Sequence, residues 1–189
     1  MTRPKRLPTV LTDEERRALL KQPNSRSPTG MRNYCIMRLM LDAGLRVSEA
    51  LSLRTNDINW NTGELVVRQG KGNKDRVLWV NGSTLEWLLK WFETRPVQTE
   101  LLFTTLKGTP LLDSYIRHLM RRLSRKAGIS KPIHPHTLRH TFATDLYRNT
   151  KNIRLVQKAL GHADLSTTMI YTHIVDEELE KAMKSFRDS

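Results

Sequence analysis

Three glycines, Gly44, Gly128 and Gly161, each close a stretch that reads as helix, and one segment between them, residues 64–80, has the β-branched content of strands. Glycine enters the left-handed backbone region without the penalty a side chain brings, so it ends a helix cleanly. A chain divided this way is expected to be mainly α with a small antiparallel β-sheet.

The local signals agree. Thr12-Asp13-Glu14-Glu15 has the capping-box spacing, which predicts a first helix from Thr12 to about Gln22. A turn-rich gap then runs through Gly30, a more apolar helix covers 32–43, and a short one carries Val47 to Leu53. Residues 64–68 and 76–80 read as strands joined by Gly70-Lys71-Gly72-Asn73-Lys74, a hairpin with lysines at its tip. Helices follow at about 83–94, 113–127, 136–148 and 153–160, and another begins at 166 or 167. A last amphipathic segment places Leu179, Met183 and Phe186 on one face. Residues 1–11, with Arg3, Lys5 and Arg6, form a basic N-terminal arm, and 12–189 read as one domain without internal repeats.

Charge narrows the partner. Lys and Arg number 32 against 19 Asp and Glu, a formal net charge of +13, which favours nucleic acid and leaves an anionic membrane surface as the alternative. The single cysteine, Cys35, lies in the apolar run Tyr34-Cys35-Ile36-Met37 and is read as a reduced core residue, in keeping with a cytoplasmic protein. No run of 18 apolar residues is present, so no membrane partner is expected.

Several short motifs could carry chemistry. His136 and Arg139 stand three apart at a helix start and point the same way, which suits a phosphate, while Leu138, Phe142 and Leu146 fill another stripe. His162 follows a helix stop, and Tyr171 comes nine residues later. Judged alone, a tyrosine in such a segment is ordinary half-buried core. Arg46 enters a helix with Glu49 three residues on, a spacing that lets the carboxylate fix the guanidinium. His136 and His140 also have the i, i+4 spacing of zinc ligands, but no carboxylate completes a His-Glu-x-x-His motif and Arg139 intervenes, so no metal is expected.

Taken in order, Gly44-Leu45-Arg46-Val47-Ser48-Glu49, Gly70-Lys71-Gly72-Asn73-Lys74, His134 through Thr144, Leu160-Gly161-His162 and Ile170-Tyr171-Thr172-His173 resemble the tyrosine recombinase (phage integrase) family, above all its Xer-type members. The resemblance spans nearly the whole chain. It implies the catalytic-domain fold of DNA breaking-rejoining enzymes, with Arg46, Lys71, His136, Arg139 and His162 around a scissile phosphate and Tyr171 as nucleophile. In that scheme His136, or a water it positions, takes the phenol proton. Lys71 protonates the leaving 5′ oxygen, with Lys74 as substitute, Glu49 orients its neighbours, and Lys74 and Arg76 contact DNA.

The same resemblance implies that neither ATP nor any other cofactor or metal is needed. Double-stranded DNA is the partner, four protomers act on two sites through a Holliday junction, and the state off DNA is left open, a monomer being one option. The family's usual N-terminal core-binding domain is read as absent, which leaves two alternatives, a single-domain enzyme resembling the short fimbrial inversion recombinases or an excised catalytic domain. The Leu179, Met183 and Phe186 face is a candidate for docking on a neighbouring protomer, with packing on its own domain the alternative.

Overall fold

The computed structural model describes residues 7–68 and 75–185. Lys71, Lys74 and Phe186 lie outside the described residues. Helix α1, Asp13–Leu20, starts as its spacing predicts: Thr12 Oγ1 accepts from the Glu15 amide at 3.2 Å and Glu15 returns the bond to the Thr12 amide at 2.7 Å. Helix α2, Pro28–Asp42, begins four residues earlier than expected. Pro28 needs no amide partner in a first turn, and Ser27 Oγ caps the Gly30 amide, so a segment that reads as a gap is already helical. Cys35, Ile36, Met37, Leu39 and Met40 are all buried, which makes α2 the axis of the main core.

A short α3, Val47–Leu51, follows. Strand β1, Glu64–Val67, then pairs antiparallel with β2, Arg76–Trp79, with Leu65 opposite Leu78 and Val67 opposite Arg76. Leu65, Val67 and Leu78 face the core, while Val77 and Trp79 are exposed. Since side chains alternate along a strand, Arg76 lies on the same face as Leu78 and points inward. Helices α4, Gly82–Thr94, and α5, Asp113–Lys126, complete the main layer, with α4 packed on α2.

Three more helices build a second, smaller cluster. These are α6, Pro135–Thr150, α7, Ile153–Leu160, and α8, Ile170–Ser185. Ala143, Val156, Leu160, Tyr171 and Ile174 are buried between them, and Leu7 and Val10 of the arm pack alongside. The arm is fastened at its end by the Leu11 amide, which donates to Thr141 Oγ1 at 2.9 Å. A 3-10 turn, Leu165–Thr167, precedes α8, and the two terminal segments expected from sequence are one continuous helix. Along it Leu179 and Met183 are exposed. Among the described residues, no helix is long and apolar enough to cross a membrane.

Candidate active site

The centre of the site is a carboxylate. Glu49 is 8% exposed and sits on the first turn of α3, where its Oε2 accepts the Arg46 backbone amide at 2.7 Å. Its Oε1 accepts from Arg46 Nη1 at 2.7 Å, and Arg76 reaches it with both ends of the guanidinium at 2.9 and 2.8 Å. Burial alone would raise the Glu49 pKa. The hydrogen bonds and charge of Arg76, the Arg46 amide and the charge of Arg139 outweigh it and hold the carboxyl down to about 2. Sequence reading offered Arg76 to DNA. Here its guanidinium is committed to Glu49 and to the Ala159 carbonyl, leaving the side chain 9% exposed.

Arg139 is positioned by two backbone carbonyls. Nη1 donates to Gly44 at 2.5 Å and Nη2 to Leu160 at 2.6 Å, with Glu49 Oε2 3.6 Å away. Both carbonyls belong to turns that require glycine. Gly44 has φ 64° and a Cβ there would lie 2.3 Å from the Phe142 ring; Gly161 has φ 63° and a Cβ would meet Arg76 Cδ at 3.1 Å. Burial, then the neighbouring Arg46 charge, lowers the Arg139 pKa to about 10, so it remains a cation at neutral pH.

His162 follows Gly161 and is fixed on both ring nitrogens. Nε2 is 3.4 Å from Arg139 Nη2, and Nδ1 is 3.0 Å from the buried Thr168 hydroxyl. Because the arginine can only donate, the ring proton belongs on Nδ1, pointing to Thr168. Burial and the charges of Arg139, Arg46 and Arg76 bring the His162 pKa to about 4, so the ring is neutral at pH 7.

Arg46, His136, Arg139, His140, His162 and Tyr171 line one cavity of about 560 Å³. His136 occupies its exposed rim at the start of α6. Tyr171 is 2% exposed, and burial pushes its phenol up to about 12 against the opposing pull of Arg139 and Arg46. Its hydroxyl lies 3.0 Å from His140 Nδ1. Three guanidiniums thus crowd one carboxylate beside a cavity that holds a tyrosine hydroxyl, an arrangement short of negative charge and suited to an oxyanion such as a phosphate diester.

The structure therefore brings together Arg46, Glu49, His136, Arg139, His162 and Tyr171 from four separate stretches of chain. Two residues were missed or misread. Arg76 alternates with Leu78 and Val80, both buried, and that alternation was the signal for an inward side chain. In the sequence His140 stands out only for its metal-ligand spacing from His136. Among the described residues, no group of three or more His, Cys, Asp or Glu could hold a metal ion.

A model described as the Phage integrase family matches residues 9–178. The tyrosine recombinase XerD of Ralstonia nicotianae is 38% identical over 184 residues, which cover 93% of this chain and 59% of that protein. The chain thus spans about three fifths of that relative's length. Among solved structures, the XerA recombinase superposes with a TM-score of 0.83 at 34% identity, over 97% of this chain and 67% of that one. The XerH site-specific recombinase, bound to palindromic difH substrate in a post-cleavage complex, gives 0.80 at 34% identity, over 94% and 53%.

Proposed function

The chain belongs to the phage integrase family, and on that footing we propose that it is a tyrosine-type site-specific DNA recombinase, cutting and rejoining strands through a 3′-phosphotyrosyl intermediate. Its fold, helices around a two-stranded antiparallel sheet, is that of tyrosine recombinase catalytic domains. The single observation that carries the proposal is the shared cavity: Tyr171 opens on the same space as Arg46, Arg139, His136 and His162.

In the proposed reaction the Tyr171 Oη attacks the scissile phosphorus while the bond to the 5′ oxygen breaks. Arg46 and Arg139 stabilise the charge that gathers on the phosphoryl oxygens, and His136 and His162 contribute hydrogen bonds to the same group. Lys71 donates the proton that the leaving 5′ oxygen requires. A 5′ hydroxyl from a second duplex then attacks the phosphotyrosine and restores the phosphodiester, so the bond energy is kept in the protein link throughout.

Double-stranded DNA is the proposed substrate, with residues 12–189 as the catalytic domain and 1–11 as its basic arm. Lys74 is proposed to lie against DNA. Four protomers acting on two sites in the cytoplasm, through a Holliday junction, are the proposed working assembly. The decisive test is a nicked suicide duplex, on which cleavage traps the covalent complex. The intact chain should yield a DNA adduct that resists denaturing electrophoresis, and Tyr171→Phe should yield none. A chain that binds the duplex but forms no adduct is not a recombinase on that site, and an adduct from Tyr171→Phe would assign the nucleophile elsewhere.

A further inference from the structure

A phenol held near pKa 12 cannot attack at neutral pH unless its proton leaves as the new bond forms. His136 is the acceptor expected from sequence. Among the described residues, however, no hydrogen bond joins His136 to Tyr171, and its ring stands at the rim of the cavity, 6.4 Å from that of His140. His140 is the ring that reaches the nucleophile, Nδ1 to Oη at 3.0 Å, one helical turn further along α6. A buried hydroxyl hydrogen seeks an acceptor, and an imidazole with its own proton on Nε2 supplies one at Nδ1.

Resting on the recombinase reading above, we propose that His140 is a catalytic residue that takes the Tyr171 proton during strand cleavage and returns it during rejoining. As the Oη–P bond forms and the P–O5′ bond breaks, the phenol proton moves to Nδ1 and the ring becomes imidazolium. The departing 5′ oxygen takes its proton from a separate acid. In the reverse step the 5′ hydroxyl gives up its proton and attacks, the P–Oη bond breaks, and the imidazolium reprotonates the tyrosine.

The surroundings explain why the ring waits for DNA. Burial, followed by the charges of His136 and Arg139 on its own helix, keeps His140 neutral, with a pKa brought to about 4. Tyr171 and His173 of α8, Arg46 and His162 line the same cavity as His140, and Asp113 and Arg117 of α5 with His134 line a second hollow that His140 also borders. Residues 7–10 of the arm carry no ionisable side chain. A scissile phosphate between Arg46 and Arg139 adds the negative charge this environment lacks, which raises the proton affinity of the ring when substrate is in place. A base that strengthens on substrate binding spares the free protein an ionised tyrosine.

The test is single-turnover cleavage of the nicked suicide duplex across pH, comparing the wild-type chain with His140→Asn and His140→Gln. The asparagine carbonyl preserves an acceptor near the Nδ1 position but cannot keep the proton. Cleavage should slow on the order of 100-fold with DNA affinity unchanged, and the acid limb of the wild-type profile should disappear. Replacing Tyr171 by 3-fluorotyrosine, which ionises more readily, should then recover much of the lost rate in the His140 variants and change the wild-type rate little. Wild-type rate and profile in both variants, or faster cleavage, would overturn the assignment. So would a defect equal at every pH that fluorotyrosine leaves untouched, since a purely structural role predicts that. The fluorotyrosine series in the wild-type background keeps the question open to measurement if a variant fails to fold: a strong rate gain there would mean that no base assists the phenol. Absence of any adduct from the wild-type chain would instead strike the recombinase reading itself.

Discussion

Arg76 grips Glu49 with both ends of its guanidinium, at 2.9 and 2.8 Å, while its Nε donates to the Ala159 carbonyl at 2.9 Å. One side chain thereby ties strand β2, helix α3 and the end of α7 to the carboxylate that also holds Arg46. The arginines presented to the cavity are fixed by this hub. Its removal is expected to cost both stability and catalysis.

Glu49→Gln keeps the shape and deletes the charge on which three guanidiniums converge. Leaving buried cations without their counterion costs on the order of 3–5 kcal/mol, which urea unfolding will measure. Added sulfate should narrow the gap between variant and wild type, because an anion binding the freed arginines stabilises the folded state by mass action. A gap independent of sulfate would show that the arginines do not form an accessible anion site.

Arg76→Lys tests geometry at constant charge. An ammonium cannot span both Glu49 oxygens and the Ala159 carbonyl together, so hydrogen bonds are left unmade at a cost of roughly 1–3 kcal/mol. Cleavage on the nicked duplex should fall while DNA affinity stays near wild type. Combined with Glu49→Gln, the two losses should not add, since both variants break the same contact. Additive losses, or weakened DNA binding from Arg76→Lys alone, would return Arg76 to the DNA contact that the resemblance implies.

Gly161→Ala forces a side chain into the left-handed region at φ 63° and brings its Cβ to 3.1 Å from Arg76 Cδ. Backbone strain of this kind costs about 1–3 kcal/mol, enough to lower the melting temperature by several degrees in a chain of this size. Since Arg76 must move to make room, the loss should shrink in an Arg76→Ala background. An equal loss in both backgrounds would assign the whole effect to the backbone.

What could be read from sequence divides by range. The Thr12 cap, the helix stops at Gly44 and Gly161 and the pairing of Arg46 with Glu49 each depend on residues within a few positions, where spacing alone fixes geometry. The start of α2 differs from the sequence expectation because Pro28 and Gly30 signal a turn in composition, yet both are tolerated in a first helical turn. The resemblance implies that Arg76 contacts DNA, whereas its place on the same strand face as the buried Leu78 turns it inward. His140 was hidden for a different reason: its partner, Tyr171, lies 31 residues on, and only the packing of α6 against α8 brings them together. His136, three residues from Arg139, is the nearer histidine by spacing, and its ring lines the same cavity.

The same buried groups predict how stability responds to acid. His140 and His162 are each held at about 4, against 6.5 for an ordinary histidine, so between those limits the unfolded chain binds protons that the folded one refuses. Folding free energy must therefore fall as pH falls through that window, and this contribution is fully retained above it. Glu49 adds a second decline. Its carboxyl is held at about 2 instead of 4.5, so its contribution is present above 4.5 and is lost as pH drops toward 2. Urea midpoints should be highest above neutrality and decrease from about pH 6.5 downward, with a shallower first decline in His140→Gln. A midpoint that rises on acidification between 6.5 and 4 would mean that these rings gain protons on folding, and the neutral His140 on which proton transfer depends would be wrong.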